Sequence, residues 1–285
     1  MQKEKARRKR AWGEHDARLQ DLSGSRGNGH PAFSGGLHMS DVHVRFLGSG
    51  DAFGSGGRLQ TCILITTPRR QFLVDCGTTS LIAMRRFGVQ PNAIDMMLIS
   101  HLHGDHFGGI PFFLLDAQLI SKRTQPLVIA GPVGIRQRLT EAMEVLFPGS
   151  SKVPQRFAMD IVEMSPEQVQ TFGDVTVMPF LVQHASGAPP LALRITCGEK
   201  VITYSGDTEW TEALIPAAHN ADLFITEAYF FDKAIKFHLD YQTVMAHFDM
   251  LQPKRMVVTH MSADMLARLD TLAGEFAEDG KSIAL

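Results

Sequence analysis

Cysteine is scarce in this chain: 285 residues hold three, Cys62, Cys76 and Cys197. The number is odd and no CxxC spacing occurs, which excludes a disulfide framework and points to a reducing cytoplasm. Long apolar runs are missing as well. None approaches the roughly 20 residues of a membrane span, and the N-terminus lacks the apolar core of a secretory signal. No GxSxG elbow and no Cys-His pairing motif is present, which removes serine and cysteine nucleophiles. The stretch from Gly48 to Gly57 is glycine-rich but spaced GxGxxxG, and a strand rather than a helix follows it, so it fails the test for a dinucleotide loop. No internal repeat is visible.

Charge divides the chain unevenly. The first forty residues carry eight Lys and Arg against four Asp and Glu, leaving 20 against 26 for residues 41–285, about minus six. Lys3, Lys5, Arg7, Arg8, Lys9 and Arg10 open a segment that becomes Ser-, Gly- and Asn-rich without periodicity. Residues 1–40 therefore read as a disordered basic leader, or as sequence upstream of a start at Met39, and 41–285 as the folded domain. From Val42 the pattern turns regular. Alternating or apolar runs at Val42–Leu47, Thr61–Thr66, Gln71–Asp75 and Ala93–Ile99 read as strands. Thr79–Phe87, Pro111–Lys122, Ile135–Leu146 and Tyr241–Leu251 have helical spacing.

The most informative segment is Ser100-His101-Leu102-His103-Gly104-Asp105-His106. It places three imidazoles and a carboxylate directly behind the apolar run Ala93–Ile99, with Gly104 breaking the path, so the four side chains lie on a strand-end loop. Histidine and carboxylate suit zinc, with manganese or iron as alternatives. The absence of nearby cysteine argues against a closed structural site and for an open one that activates water.

His101, His103, Asp105 and His106 match the HxHxDH signature of the metallo-β-lactamase superfamily, and Ile99–His106 resembles its ribonuclease Z-like branch in particular. The resemblance implies an α/β fold, a four-layer αβ/βα sandwich, and three later ligands after successive strands. His184 follows Val175–Val182, Asp207 follows Val201–Gly206, and His260 follows Met256–Thr259. By that resemblance His101, His103 and His184 would hold one ion, Asp105, His106 and His260 a second, and Asp207 would bridge them, making two Zn2+ the expected cofactors. Asp75 would support the loop from behind, and the glycine-rich stretch would edge the active site. Ile225-Thr226-Glu227-Ala228-Tyr229 resembles the branch's HEAT segment with Thr226 at its first position. His238 falls where the branch carries the histidine that protonates the leaving oxygen, although Leu239-Asp240 follow it here instead of a small hydroxyl pair. The catalytic expectations are thus Asp105, His238 and Glu227, the alternative for Glu227 being an ordinary solvated carboxylate.

The expected activity is metal-dependent hydrolysis of a small or medium phosphodiester by an activated water. Enzymes that process tRNA 3′ ends carry a long basic, glycine-rich arm. Between Gly131 and Asp174 this chain has only a helix, a Pro-Gly-Ser turn and an apolar-acidic stretch. With an acidic body as well, nucleic acid is not the favoured partner, and a tRNA 3′ endoribonuclease is the first alternative. Hydrolysis of a lactone, thioester or other carbonyl ester, or metal binding without turnover, is the second. No membrane contact is expected, and a homodimer is implied by the resemblance alone.

Overall fold

Regular structure begins where the apolar alternation begins. The computed structural model describes residues 42–285, so the expected leader lies outside the described residues. Strands β1 (His43–Gly48), β2 (Cys62–Thr66), β3 (Gln71–Val74), β4 (Ile94–Leu98), β5 (Leu127–Pro132) and β6 (Met159–Met164) lie side by side in sequence order. A second sheet comprises β7 (Gln170–Phe172), β8 (Val175–Leu181), β9 (Leu191–Cys197), β10 (Lys200–Tyr204), β11 (Leu223–Glu227) and β12 (Met256–Thr259). The chain then returns to the first sheet, where β13 (Ser282–Ala284) pairs antiparallel with β1. Each sheet is part antiparallel and part parallel: β3 to β6 run parallel, as do β10 to β12.

Side-chain alternation explains the layering. Along β4, Met96 and Leu98 point into a core shared by both sheets, whereas Met97 and Ile99 point to the opposite face. The second sheet answers with Val177, Ile195, Ile225 and Val257. Outside the first sheet, Met84, Phe113 and Leu139 from three helices pack on Leu73, Met97 and Ile129. On the outer face of the second, Leu214, Val244 and Leu251 cover Ala192 and Phe224. Helix, sheet, sheet and helix make four layers, the αβ/βα sandwich expected from the sequence. Ile135, Leu139 and Met143, spaced by four, are the buried stripe of the helix Ile135–Leu146. No described helix is long and apolar enough to cross a membrane.

Two expectations change. The helix expected over Tyr241–Leu251 is two pieces, Tyr241–Ala246 and Phe248–Leu251. His247 interrupts it, because its ring Nδ1 reaches back to the Thr243 carbonyl at 2.8 Å and competes with the helical ladder. The apolar-acidic stretch before Asp174 contains β6 and β7. β6 is the edge of its sheet and most of its residues are partly or fully exposed, which weakened its apolar signal.

The shared core sets stability. Leu98 is fully buried between the sheets and leads directly into the histidine loop. Leu98→Ala should destabilise the fold by about 2–5 kcal/mol, the usual cost of a large-to-small core change. Urea denaturation checks this, and a loss below about 0.5 kcal/mol would contradict the packing described.

Candidate active site

The expected site residues converge along one edge of the sandwich, at the C-terminal ends of the strands that precede them. This is where open α/β sheets gather ligands. Asp75 follows β3, His101 to His106 follow β4, His184 follows β8, Asp207 follows β10, Glu227 ends β11, and His260 follows β12. Backbone strain marks the edge: Asp75 (φ 59°) and His260 (φ 55°) adopt the left-handed region that non-glycine residues avoid. Gly77 permits close packing behind the loop, since a Cβ there would lie 2.2 Å from the Asp105 backbone oxygen. The glycine-rich stretch does edge the site, because the Ser49 carbonyl accepts the His260 N–H at 3.2 Å.

Each of four imidazoles is tied on its outer nitrogen. His103 Nε2 donates to the Ala185 carbonyl at 3.1 Å, and His184 Nδ1 donates to the Phe237 carbonyl at 2.8 Å. His106 Nδ1 donates to Asp75 Oδ2 at 2.7 Å. Ser100 gives its N–H and O–H to the two Asp75 oxygens, each at 2.7 Å, so its oxygen accepts from His101 Nδ1 at 3.0 Å. Carbonyls and carboxylates only accept, so the outer nitrogens carry the protons and the neutral rings turn lone pairs inward. Asp75, Ser100 and two loop carbonyls thereby fix four tautomers.

The inner nitrogens then face one another. His103 Nδ1 and His184 Nε2 are 2.9 Å apart, and His106 Nε2 and His260 Nε2 are 3.3 Å apart. In the first pair both outer nitrogens already donate, so two lone pairs are opposed and require a proton or a cation between them; in the second, His260 Nε2 donates to Asp105 Oδ2 at 3.2 Å. His101 Nε2 is buried without a partner. The ligand atoms form two groups, His101 with His103 and His184, and Asp105 with His106, Asp207 and His260, each within 4.8 Å. Asp207 stands between them, with Oδ1 3.3 Å from His106 Nε2 and Oδ2 3.4 Å from His260 Nε2 and 3.9 Å from His101 Nε2. Imidazole and carboxylate donors, with His101 Nε2 and His260 Nδ1 buried without partners and the His103 and His184 lone pairs opposed, fit divalent transition-metal ions.

Without an ion, protons take its place. Burial opposes charge on His260, but Asp207 and the Asp105 hydrogen bond outweigh it and raise its pKa to about 9. His106 is likewise raised, burial being overcome by Asp207, Asp105 and Asp75. Asp207 is driven the other way: burial resists ionisation, yet His106 and His260 hold its pKa well below the usual carboxylate range.

Glu227 is fully buried and is no solvated carboxylate. Its Oε2 accepts from His238 Nδ1 at 2.9 Å, and its Oε1 accepts the Thr208 N–H. Burial and the Asp207 charge raise the Glu227 pKa. His238 is also raised: burial opposes its charge, but the hydrogen bond to Glu227 together with the Glu227 and Asp207 charges outweighs it. Its ring lies parallel to that of His260 with centroids 6.0 Å apart, so the pair stands against the ligand cluster, with Nε2 the nitrogen left available. Sequence reading missed Ser100, visible only as the residue before His101, and the Ala185 and Phe237 carbonyls, which carry no side-chain signal.

Fold and site together define a hydrolase of the metallo-β-lactamase superfamily, in its ribonuclease Z-like branch. Within it, the chain belongs to the family described as Anti-Pycsar protein Apyc1, which matches residues 42–282. It is similar to the ribonuclease Z of Bacillus thuringiensis, strain Al Hakam, 27% identical over 275 residues that cover 76% of this chain and 88% of that one. It is 31% identical to the ribonuclease Z of Lachnoclostridium phytofermentans over 144 residues, 50% of this chain and 45% of the relative, so that match spans less than half the relative's length. The short form of human tRNase Z superposes with a TM-score of 0.68 at 25% identity, covering 85% of this chain and 98% of that one. The metallo-β-lactamase fold protein YhfI of Bacillus subtilis superposes at 0.70 with 21% identity, covering 86% and 99%, which shows the fold alone.

Metal should displace the protons shared within the cluster. His260, protonated below about pH 9 in the metal-free chain, must lose its proton to bind an ion. Binding of Zn2+ at pH 7 should therefore release protons, and apparent affinity should rise with pH up to about 9. Calorimetry in buffers of different ionisation enthalpy measures the release; binding without it would contradict the assignment.

Proposed function

We propose that this chain hydrolyses a small or medium phosphodiester, with His238, oriented by Glu227, protonating the departing oxygen. The enzyme is a metal-dependent phosphodiesterase, a class supported by the relatives named ribonuclease Z and tRNase Z. In this reading His101, His103 and His184 hold one ion, Asp105, His106 and His260 the other, and Asp207 both. Zinc is the expected metal, with manganese or iron as alternatives. Two such ions would supply an activated water and neutralise charge developing on the phosphoryl oxygens. The chain's own groups do the rest. Asp105 Oδ2 lies 3.2 Å from Nε2 of both His106 and His260, and its carboxylate adds a second negative charge beside Asp207 for a cation to meet. Glu227 accepts from His238 Nδ1 and favours the doubly protonated ring, so that Nε2–H has a proton to give up.

The observation that carries the reading is the buried Glu227–His238 pair beside the ligand cluster, because an oxygen leaving group needs a proton that metal ligands cannot give. Substrate size is argued from the segment 131–174. It holds the helix Ile135–Leu146, a short turn and the strands β6 and β7, without an extended arm. The acid surplus of residues 41–285 also disfavours RNA, leaving a tRNA 3′ endoribonuclease as the alternative. The resemblance further implies a homodimer, and the buried free thiols of Cys62, Cys76 and Cys197 suit a reducing cytoplasm.

Metal-replete enzyme should turn over bis-p-nitrophenyl phosphate and leave lactam and thioester substrates intact; the reverse preference would overturn the phosphodiester assignment. His238→Ala should lower kcat on a diester with a poor leaving group by about 10²- to 10⁴-fold, the range of a lost general acid, and far less on p-nitrophenyl esters. Equal losses on both would remove His238 as the proton donor.

A further inference from the structure

One turn serves both halves of the chemistry. Ile235 and His238 bridge antiparallel, closing a tight turn with Phe237 just before His238. Phe237 sits at φ 71°, a left-handed conformation that a bulky L-residue adopts only at an energetic cost. The residue is 39% exposed, so its burial does little to hold it there. Two hydrogen bonds do hold it. The carbonyl accepts from His184 Nδ1, and the N–H donates to Glu209 Oε2 at 2.8 Å.

Glu209 is placed to act on both sides. It is two residues beyond Asp207, and its own N–H donates to the carbonyl of Gln183, the neighbour of His184, at 3.1 Å. The Gln183 N–H in turn donates to Thr208 Oγ1 at 3.0 Å. The Thr208 N–H donates to Glu227, the carboxylate that holds the His238 ring. The segment Asp207-Thr208-Glu209 thus reaches His238 twice, through Glu227 to the ring and through Glu209 to the backbone of the preceding residue.

We propose that Glu209 is a positioning residue: its carboxylate holds the Phe237 backbone in the left-handed turn, so that the Phe237 carbonyl fixes the His184 tautomer and His238 is set against the leaving group. A Glu at this point would otherwise read as a half-exposed surface acid. The inference rests on the reading of His238 as proton donor and of His184 as a ligand. It adds that both depend on one exposed turn pinned by a single carboxylate.

Removing a group that orients a ligand from behind commonly costs 10- to 100-fold in affinity or activity. At saturating metal, Glu209→Ala should therefore lower kcat on a diester with a poor leaving group by about that factor and spare p-nitrophenyl esters, and in direct titration it should weaken Zn2+ binding. Glu209→Gln, which still offers an acceptor oxygen, should recover most of the loss. The decisive comparison uses Phe237→Gly. Glycine adopts positive φ unaided, so Glu209→Ala made in the Phe237→Gly background should cost several-fold less than in the natural chain. Equal costs in both backgrounds, or full activity in Glu209→Ala, would overturn the proposal. His238→Ala separates this from the underlying reading. If that variant shows the leaving-group split while Glu209→Ala does not, Glu209 alone fails; if His238→Ala loses equally on both substrates, the acid assignment fails first.

Discussion

Everything at this site depends on where each imidazole puts its proton. Asp75, Ser100, Ala185 and Phe237 accept from His106, His101, His103 and His184, and those outward bonds turn four lone pairs into the cluster around Asp207's carboxylate and the His101, His103 and His184 rings. A neutral histidine has one proton to give, so an acceptor behind the ring decides what stands in front of it. The result is an arrangement that repels itself when empty. The 2.9 Å contact between His103 and His184 is tolerable only with a positive charge between the rings.

The scaffold divides this task. Strands deliver the ligands: parallel β3 and β4 in one sheet and β10 to β12 in the other all end at the same edge, and the shared core holds the two sheets in register. Loops deliver the acceptors, and they do so in costly conformations. Asp75, Phe237 and His260 all have positive φ, and each either makes or accepts a bond to the ligand set. Strain of this kind persists only where surrounding bonds over-determine it, as the hydrogen bonds of Asp75, Phe237 and His260 do here.

The candidate ligands were legible because metal chemistry restricts residue type so severely. His101 to His106 are nearly contiguous, and His184, Asp207 and His260 each follow an apolar run, so strand ends could be read without knowing which strands pair. The four-layer architecture came through the resemblance and through the alternation of runs such as Ile94–Leu98. What stayed hidden was carried by backbone or by context. Carbonyl acceptors have no residue signature. The burial of Glu227 could have been suspected from its place at the end of Leu223-Phe224-Ile225-Thr226, an almost wholly apolar strand. β6 escaped because an edge strand exposed on most of its residues lacks a continuous apolar stripe, and the break at His247 escaped because helical spacing continues across it.

The account's central claim is that the opposed nitrogens enclose two cations joined by Asp207, and anomalous diffraction at a metal edge tests it most directly. Crystals grown with Zn2+ should show two peaks about 3.5–4 Å apart, one among His101, His103 and His184, the other among Asp105, His106 and His260, with Asp207 touching both. A single peak, or peaks away from these residues at full metal saturation, would contradict it.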